Sequence, residues 1–428
     1  MRWFRFALVA AMAAGPLYAE APEWQRRLEE AVSRAVTGNP SIAEMEYQIQ
    51  AARHRAGQAG ALPDPEIEVG VQDVPPSDFS FSRDDFTMTK VTARQIFPAA
   101  GKRPAREREA GAAADVAAAR HLAHVAEIAA DVADAYFALA DLDARIAILE
   151  ESRRRLERVA ASASERYRVG RGAQTDVLRA SLETTTVEER RVALSGERRM
   201  LAARLNALQA LPPGTVVPPV PLPDDDPSLP AEAELAAAAG ESSPAVAAAQ
   251  AKVREVSEGL GLARLERRPD LMAMAYYANR VSFEDLVGAS VAVNLPFFQH
   301  KRLDERRAEL EAELSGARAT VEMRRNEIGR GLAEAYADLE RSLEQERLYR
   351  GSILPQAETN ERAAQEAYTV GQVDFLTYVR AALDRDAYAA ELAMRRASAW
   401  RAVAALQRAS GLPLVPGMPK AGESHDQN

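Results

Sequence analysis

Tyr167–Glu183 reads YRVGRGAQTDVLRASLE, and 201 residues later Tyr368–Asp384 reads YTVGQVDFLTYVRAALD. Tyr167, Val169, Gly170, Arg179, Ala180 and Leu182 pair without a gap with Tyr368, Val370, Gly371, Arg380, Ala381 and Leu383. Both copies lie between long stretches of helical periodicity, so each predicts a tight turn joining two antiparallel helices. Gly170 and Gly371 supply the positive φ that ends the incoming helix. Asp176 and Asp374 stand near the start of the outgoing one, where a carboxylate is favoured. The chain is therefore a duplication with two helical tips.

Working outward, each tip is fed by a very long helix. About 102–167 is one, and Leu122, Val125, Ala129, Val132, Tyr136 and Leu139 recur on it at alternating steps of three and four. That is the spacing of a coiled-coil seam. Sixty-six residues at about 1.5 Å each extend about 100 Å. The second such helix runs to Tyr368, with Leu310, Leu314, Ala317, Val321, Ile328, Leu332, Ala335 and Leu339 on its seam. Shorter helices return from the tips, to about Leu211 and Gly411.

Ahead of each long helix lie two strands. Glu66–Gln72 alternates Ile67, Val69 and Val71 against Glu66, Glu68, Gly70 and Gln72, a strand with one apolar and one wet face. Phe86–Phe97 is the second strand. Its alternation is poor, because Lys90 and Arg94 share a parity with Phe86 and Met88, so a bulge or register change is expected there. The second half offers 271–278 and 285–295; the latter sets Val287, Ala289, Val291, Val293 and Leu295 against Gly288, Ser290, Ala292 and Asn294. Pro98 and Pro296 close the matching strands. Helices over about 24–61 and 231–267 precede the strand pairs, broken at Pro40 and Pro244. Pro212–Pro230, with eight prolines in nineteen residues, is a stiff extended connector.

Composition agrees. The 428 residues include no cysteine, 6% aromatics and 27% charged residues, which suits long Ala-rich helices better than thick globular cores. A net charge of −9 argues against general nucleic-acid binding. Without cysteine there are no disulfides or thiolate metal sites. Residues 1–19 read as a signal peptide, with Arg2 and Arg5 before an apolar run and Ala19 at the cleavage point. Residues 20–211 and 231–412 are the two repeats, and 413–428 a disordered tail.

Four strands per chain cannot close a membrane barrel, for which eight is the smallest single-chain number. An open edge in lipid leaves backbone groups unpaired at several kcal/mol each. Association removes the edges: two chains give eight strands and three give twelve. An eight-stranded barrel is filled by its own side chains, so a conduit favours the trimer.

The duplicated VG turn, the paired strands capped by Pro98 and Pro296, and the Pro-rich connector resemble the TolC family of outer-membrane efflux channels. The resemblance spans about 23–412. It implies a mainly α chain with a small membrane β-part, trimeric, with a twelve-stranded barrel in outer-membrane lipid continued by a helical tunnel in the periplasm. It implies as partners a periplasmic adaptor and an inner-membrane pump of the resistance-nodulation-division type, and no enzyme activity or cofactor. Phe86–Phe97 with Pro98, and Phe283–Asp304, FEDLVGASVAVNLPFFQHKRLD, most resemble the heavy-metal resistance subset, while efflux of drugs or other organic compounds stays open. Carried over, the adaptor-contact turn is Tyr167, Val169, Gly170 and Arg171 in one half and Tyr368, Val370, Gly371 and Gln372 in the other. Family apertures often carry acids six residues after the tip glycine, and sometimes nine. Asp176 matches the first; Thr377 and Arg380 occupy those places in the second tip and depart from the pattern. A ring of Asp176 would favour cations.

Other features read more plainly. His121 and His124 lie at i, i+3 with no third ligand in the sequence nearby, which fits a solvated helix face. Met272 and Met274 share a strand face, as soft ligands or as wall residues. Lys102-Arg103 and Lys301-Arg302 follow the strand ends and are expected at the headgroup boundary. Gly170-x-Gly172 and Gly259-x-Gly261 do not follow strands, so dinucleotide binding is not indicated. A periplasmic coiled-coil adaptor or scaffold without a pore would also account for the helices, but not for four alternating strands with matched proline stops.

Overall fold

The computed structural model describes residues 21–295 and 297–416. The signal-peptide reading, Pro296 and the tail beyond residue 416 lie outside them. Helices α1 (Glu23–Gly38) and α2 (Pro40–Ala59) lead to strands β1 (Glu66–Gln72) and β2 (Met88–Phe97), then to α3 (Lys102–Arg168), the first tip and α4 (Gln174–Leu208). The second half repeats this with α5 (Glu232–Ser242), α6 (Pro244–Leu265), β3 (Asp270–Asn279), β4 (Leu286–Asn294), α7 (His300–Leu348), α8 (Leu354–Thr369) and α9 (Phe375–Ser410). The breaks fall where proline sets them. Asn39 caps α2 by accepting from the Ser41 amide at 3.0 Å, with Pro40 following at the first helical position.

One sheet unites the halves in the order β1-β2-β3-β4, all antiparallel. Each pair keeps a single unbroken register, including Glu66↔Arg94 to Gln72↔Met88 and Thr89↔Asn279 to Phe97↔Leu271. The expected bulge in β2 is therefore absent. The strand begins at Met88, leaving Phe86 in the preceding loop, and Lys90 and Arg94 belong to the wet face that Glu66 and Glu68 also line.

α3 is the spine: it packs against α2, α4, α6 and α9, while α7 packs on α6 and α9. Its seam is buried from Ala129 through Val132 and Tyr136 to Leu139, and only its first member, Leu122, is exposed. The core centres on Trp24, Phe137 and Trp400, with the Trp24 and Trp400 ring centroids 4.8 Å apart. The Tyr136 hydroxyl donates to the Trp24 carbonyl at 2.9 Å, which satisfies the polar end of a buried ring.

The second long helix is interrupted. A π-helical turn, Tyr349–Ile353, separates α7 from α8. Pro355 has no N–H and its ring crowds the carbonyl of Gly351, and wider i→i+5 bonding relieves both. The π-turn also explains the repeat arithmetic. Tyr336 to Tyr368 is one residue longer than Tyr136 to Tyr167, and a π-turn absorbs one extra residue without rotating the helix beyond it. The connector has no helix or strand over 211–231. It is tied down by Arg27 to the Pro219 carbonyl at 2.7 Å and by the Val220 amide to Asp143 at 2.8 Å.

Candidate functional site

Both tips close by the same bonds. The Arg171 amide donates to the Arg166 carbonyl at 2.8 Å and the Gln372 amide to the Ala367 carbonyl at 2.8 Å. The Gly170 and Gly371 amides donate to Tyr167 and Tyr368. This is the glycine closure of a helix C-terminus. Gly170 has φ 71° and Gly371 φ 79°, and a Cβ at either would meet open space. The backbone angle, not crowding, selects glycine.

The outgoing helices start differently. Asp374 caps α9, accepting from the Thr377 amide at 2.8 Å and from the Thr377 hydroxyl. The Thr377 hydroxyl and amide hold the Asp374 carboxyl below the usual carboxylate range. α4 begins instead at Ala173, which has no side-chain cap, and Asp176 sits in its first turn, half-buried. Asp176, Thr377 and Arg380 all lie in the first turns beyond the tips. Thr377 is engaged by its cap, and Arg380 is exposed.

The two tip tyrosines occupy different surroundings. Tyr167 is exposed beside Val169, whereas Tyr368 stacks on Tyr378 with ring centroids 5.8 Å apart. Arg166 of the first tip lies over the Tyr368 ring, 4.6 Å from its centroid, so the tips are joined by a cation–π contact. Two turns above, Arg155 forks onto Asp386 at 2.6 and 2.7 Å and reaches Glu361 at 3.2 Å. Burial raises the Asp386 carboxyl, outweighing the Ser152 hydroxyl and Arg155 that act against it. This network links α3 to α8 and α9, and no sequence motif announces it, because its partners are 206 and 231 residues apart.

At the other end the sheet has one apolar face. Ile67, Val69 and Val71 align with Val91 and Ala93, then Ala275 and Tyr277, then Val287 and Ala289. This face is open, with Val287 81% and Val291 71% exposed. The opposite face carries Glu66 and Glu68 paired to Arg94 at 3.0 and 3.4 Å. It also carries Met272, Met274, Ser290 and Asn294. Lys90 sits 4.3 Å from the centroid of the Tyr276 ring, which lies over Gly288. Among the described residues the outer edges, β1 and β4, have no partner strand. An apolar face beside a charged one, bounded by two open edges, fits a segment of a membrane barrel.

Lys102 turns inward, away from solvent. It is buried and pairs with Asp270 at 2.8 Å, and Asp270 also accepts from the Ala99 amide at 2.7 Å. The pair bolts the start of β3 to the start of α3. Arg103 donates to the Gly60 carbonyl at 2.7 Å, while Lys301 and Arg302 are exposed. His124 shares a 2.8 Å hydrogen bond with Ser41. Among the described residues no helix is long and apolar enough to cross a membrane.

Solved structures share this architecture. VceC of Vibrio cholerae aligns with TM-score 0.74 at 20% identity, covering 91% of this chain and 98% of that one. The CmeC channel of Campylobacter jejuni gives 0.69 at 13%, covering 99% and 95%. The open-state MtrE channel of Neisseria gonorrhoeae gives 0.70 at 16%, covering 91% and 90%. No curated protein matches significantly. The family model described as outer membrane efflux protein matches residues 31–211 and 235–412. Two matched halves, two glycine tips and a shared sheet thus meet in one chain, which belongs to the outer membrane efflux protein family and is a protein of the outer membrane.

Proposed function

We propose that three copies of this chain form the exit duct of a tripartite efflux pump. The carrying observation is the four-stranded sheet with an exposed apolar face and two open edges. Copies closing edge to edge, β4 of one beside β1 of the next, pair every strand, and three copies leave a water-filled lumen. The wet face then lines that lumen. The helical tips form the periplasmic aperture, where Tyr167, Val169, Gly170, Arg171, Val370, Gly371 and Gln372 contact a periplasmic adaptor. Tyr368 supports the turn from behind. The energy comes from the inner-membrane pump, of the resistance-nodulation-division type, so the channel itself needs no cofactor and catalyses nothing.

Heavy-metal cations are the favoured cargo. The support is the resemblance of Phe86–Phe97 and Phe283–Asp304 to the heavy-metal resistance subset, together with Asp176, three copies of which would ring the aperture with carboxylates. Growth of a deletion strain, with and without the gene restored, tests this on copper, zinc, cobalt and cadmium salts beside dyes and hydrophobic drugs. Sensitivity confined to metals supports the cation reading. Sensitivity confined to drugs keeps the duct and discards the metals. A fully soluble monomer on fractionation would instead favour the scaffold without a pore.

A further inference from the structure

The tips share a backbone but not a charge. At matched positions Arg166, Arg168 and Arg171 of the first tip face Ala367, Thr369 and Gln372 of the second, and Ala173 faces Asp374. From Glu165 to Arg179 there are four arginines and two acids; the matched stretch Glu366 to Arg380 has one arginine and two acids. The Arg168 side chain is 75% exposed and Arg171 is exposed, beside the exposed Val169. Arg168 pairs with Glu165 at 2.5 Å, but Glu366 stands at the matching place in the second tip, so the contrast remains. Arg166 is used internally, over Tyr368. The identical closing bonds give both tips one backbone shape, so a docking partner tells them apart by side chains, of which the arginines carry the charge contrast.

We infer that the first tip is an anion-reading dock: Arg168 and Arg171 receive carboxylates from the periplasmic partner protein, while the second tip takes a neutral or basic surface. This rests on the duct reading above. A ring of such tips alternates in charge, so a partner with alternating charge seats in one angular register, and a half-repeat slip places like charges together. Like-charge juxtaposition penalises wrong docking more than pairing strengthens right docking. A protein partner is favoured over an anionic lipid surface because only half of the tips are basic.

The test is complementation of the deletion strain by the double variant R168E/R171E, beside R190E/R199E, which makes the same charge change on exposed positions of α4. Oligomer levels are followed on unheated gels. R168E/R171E is expected to leave the strain as sensitive as the deletion, with normal oligomer, and R190E/R199E to restore growth. If the double variant lowers the oligomer, Arg171→Glu alone carries the same comparison. Full complementation by the tip variant would overturn the inference while leaving the duct reading intact; a deletion strain with no export defect and a soluble protein would fail the duct reading itself. Extragenic suppressors are expected as acid-to-base changes in a periplasmic protein. Suppressors confined to anionic-lipid synthesis would overturn the inference by assigning the dock to a membrane surface.

Discussion

At the residue scale the tip glycines are set by one dihedral each. With open space around both, any L side chain fits but pays about 1–2 kcal/mol to hold the left-handed angle. Gly371→Val is therefore expected to abolish complementation with the oligomer intact, whereas Gly371→Asn, which enters that region more readily, retains most export. Normal export by the valine variant would show that the tip geometry is not used. Asp374 gives a pH prediction. Its folded carboxyl titrates below the ordinary 3.8 because Thr377 donates to the ionised form. The cap is thus fully present above the unfolded value and is lost as pH falls through the lower folded one. Protection factors of the amides at the start of α9 should hold from neutral pH to about pH 5 and fall as pH drops through 3.8 and below. Asp374→Ala should lower them wherever the native carboxylate is ionised and converge with the native chain at low pH; an unchanged profile in that variant would remove the cap as a source of order.

At the element scale the tip-proximal part of the second long helix, Tyr336 to Tyr368, differs from its counterpart by one residue and one proline. Deleting Gly351 together with Pro355→Ala should convert the π-turn to α-helix and leave the packing on both sides in register, so assembly survives. Deleting Ala335, which is 7% exposed on the α7 seam, rotates everything beyond it by about 100° and should abolish the oligomer on unheated gels. Equal damage from both deletions would refute the π-turn as the place where the extra residue is absorbed. Asp386→Ala, which leaves the part-buried Arg155 with Glu361 alone, should cost about 2 kcal/mol in thermal or denaturant unfolding; Asp386→Asn, keeping one acceptor, should cost less. These elements also mark what the sequence could and could not say. Strands β1 and β4, the proline breaks and both glycine turns are local signals, and they appear in the structure within a residue or two. The drift of the repeat offset is visible in the sequence, but its cause is not, because a π-turn has no composition of its own. Phe86 and Met88 obscure the alternation of β2 in the sequence; the two glutamates of β1 that pair with Arg94 identify its wet face. The burial of Lys102 is not legible in the sequence because its partner Asp270 is 168 residues away. The contrast between Tyr167 and Tyr368 arises from packing of the two hairpins, which pairwise repeat matching treats as equal.

At the scale of the whole molecule the sheet decides the environment. A single chain leaves an apolar face and two strand edges open, so it is incomplete as a folded unit. On the duct reading lipid covers that face and strands of neighbouring copies cover the edges. Adjacent residues on β4 test which face is which, since neighbouring side chains on a strand point to opposite sides. Val291 lies on the apolar face at 71% exposure, and Ser290 on the wet face opposite Met274. Val291→Lys places a cation in lipid at about 2–4 kcal/mol per copy near the bilayer middle, and three copies multiply the penalty. Ser290→Lys adds a cation to a face that already carries Lys90 and Arg94. The valine variant is expected to vanish from the outer-membrane fraction as a heat-modifiable oligomer, and the serine variant to remain there with altered ion passage. The reverse outcome would turn the sheet inside out and, with it, assign the glutamates of β1 to the lipid side, a position that the cost of a charge in hydrocarbon excludes.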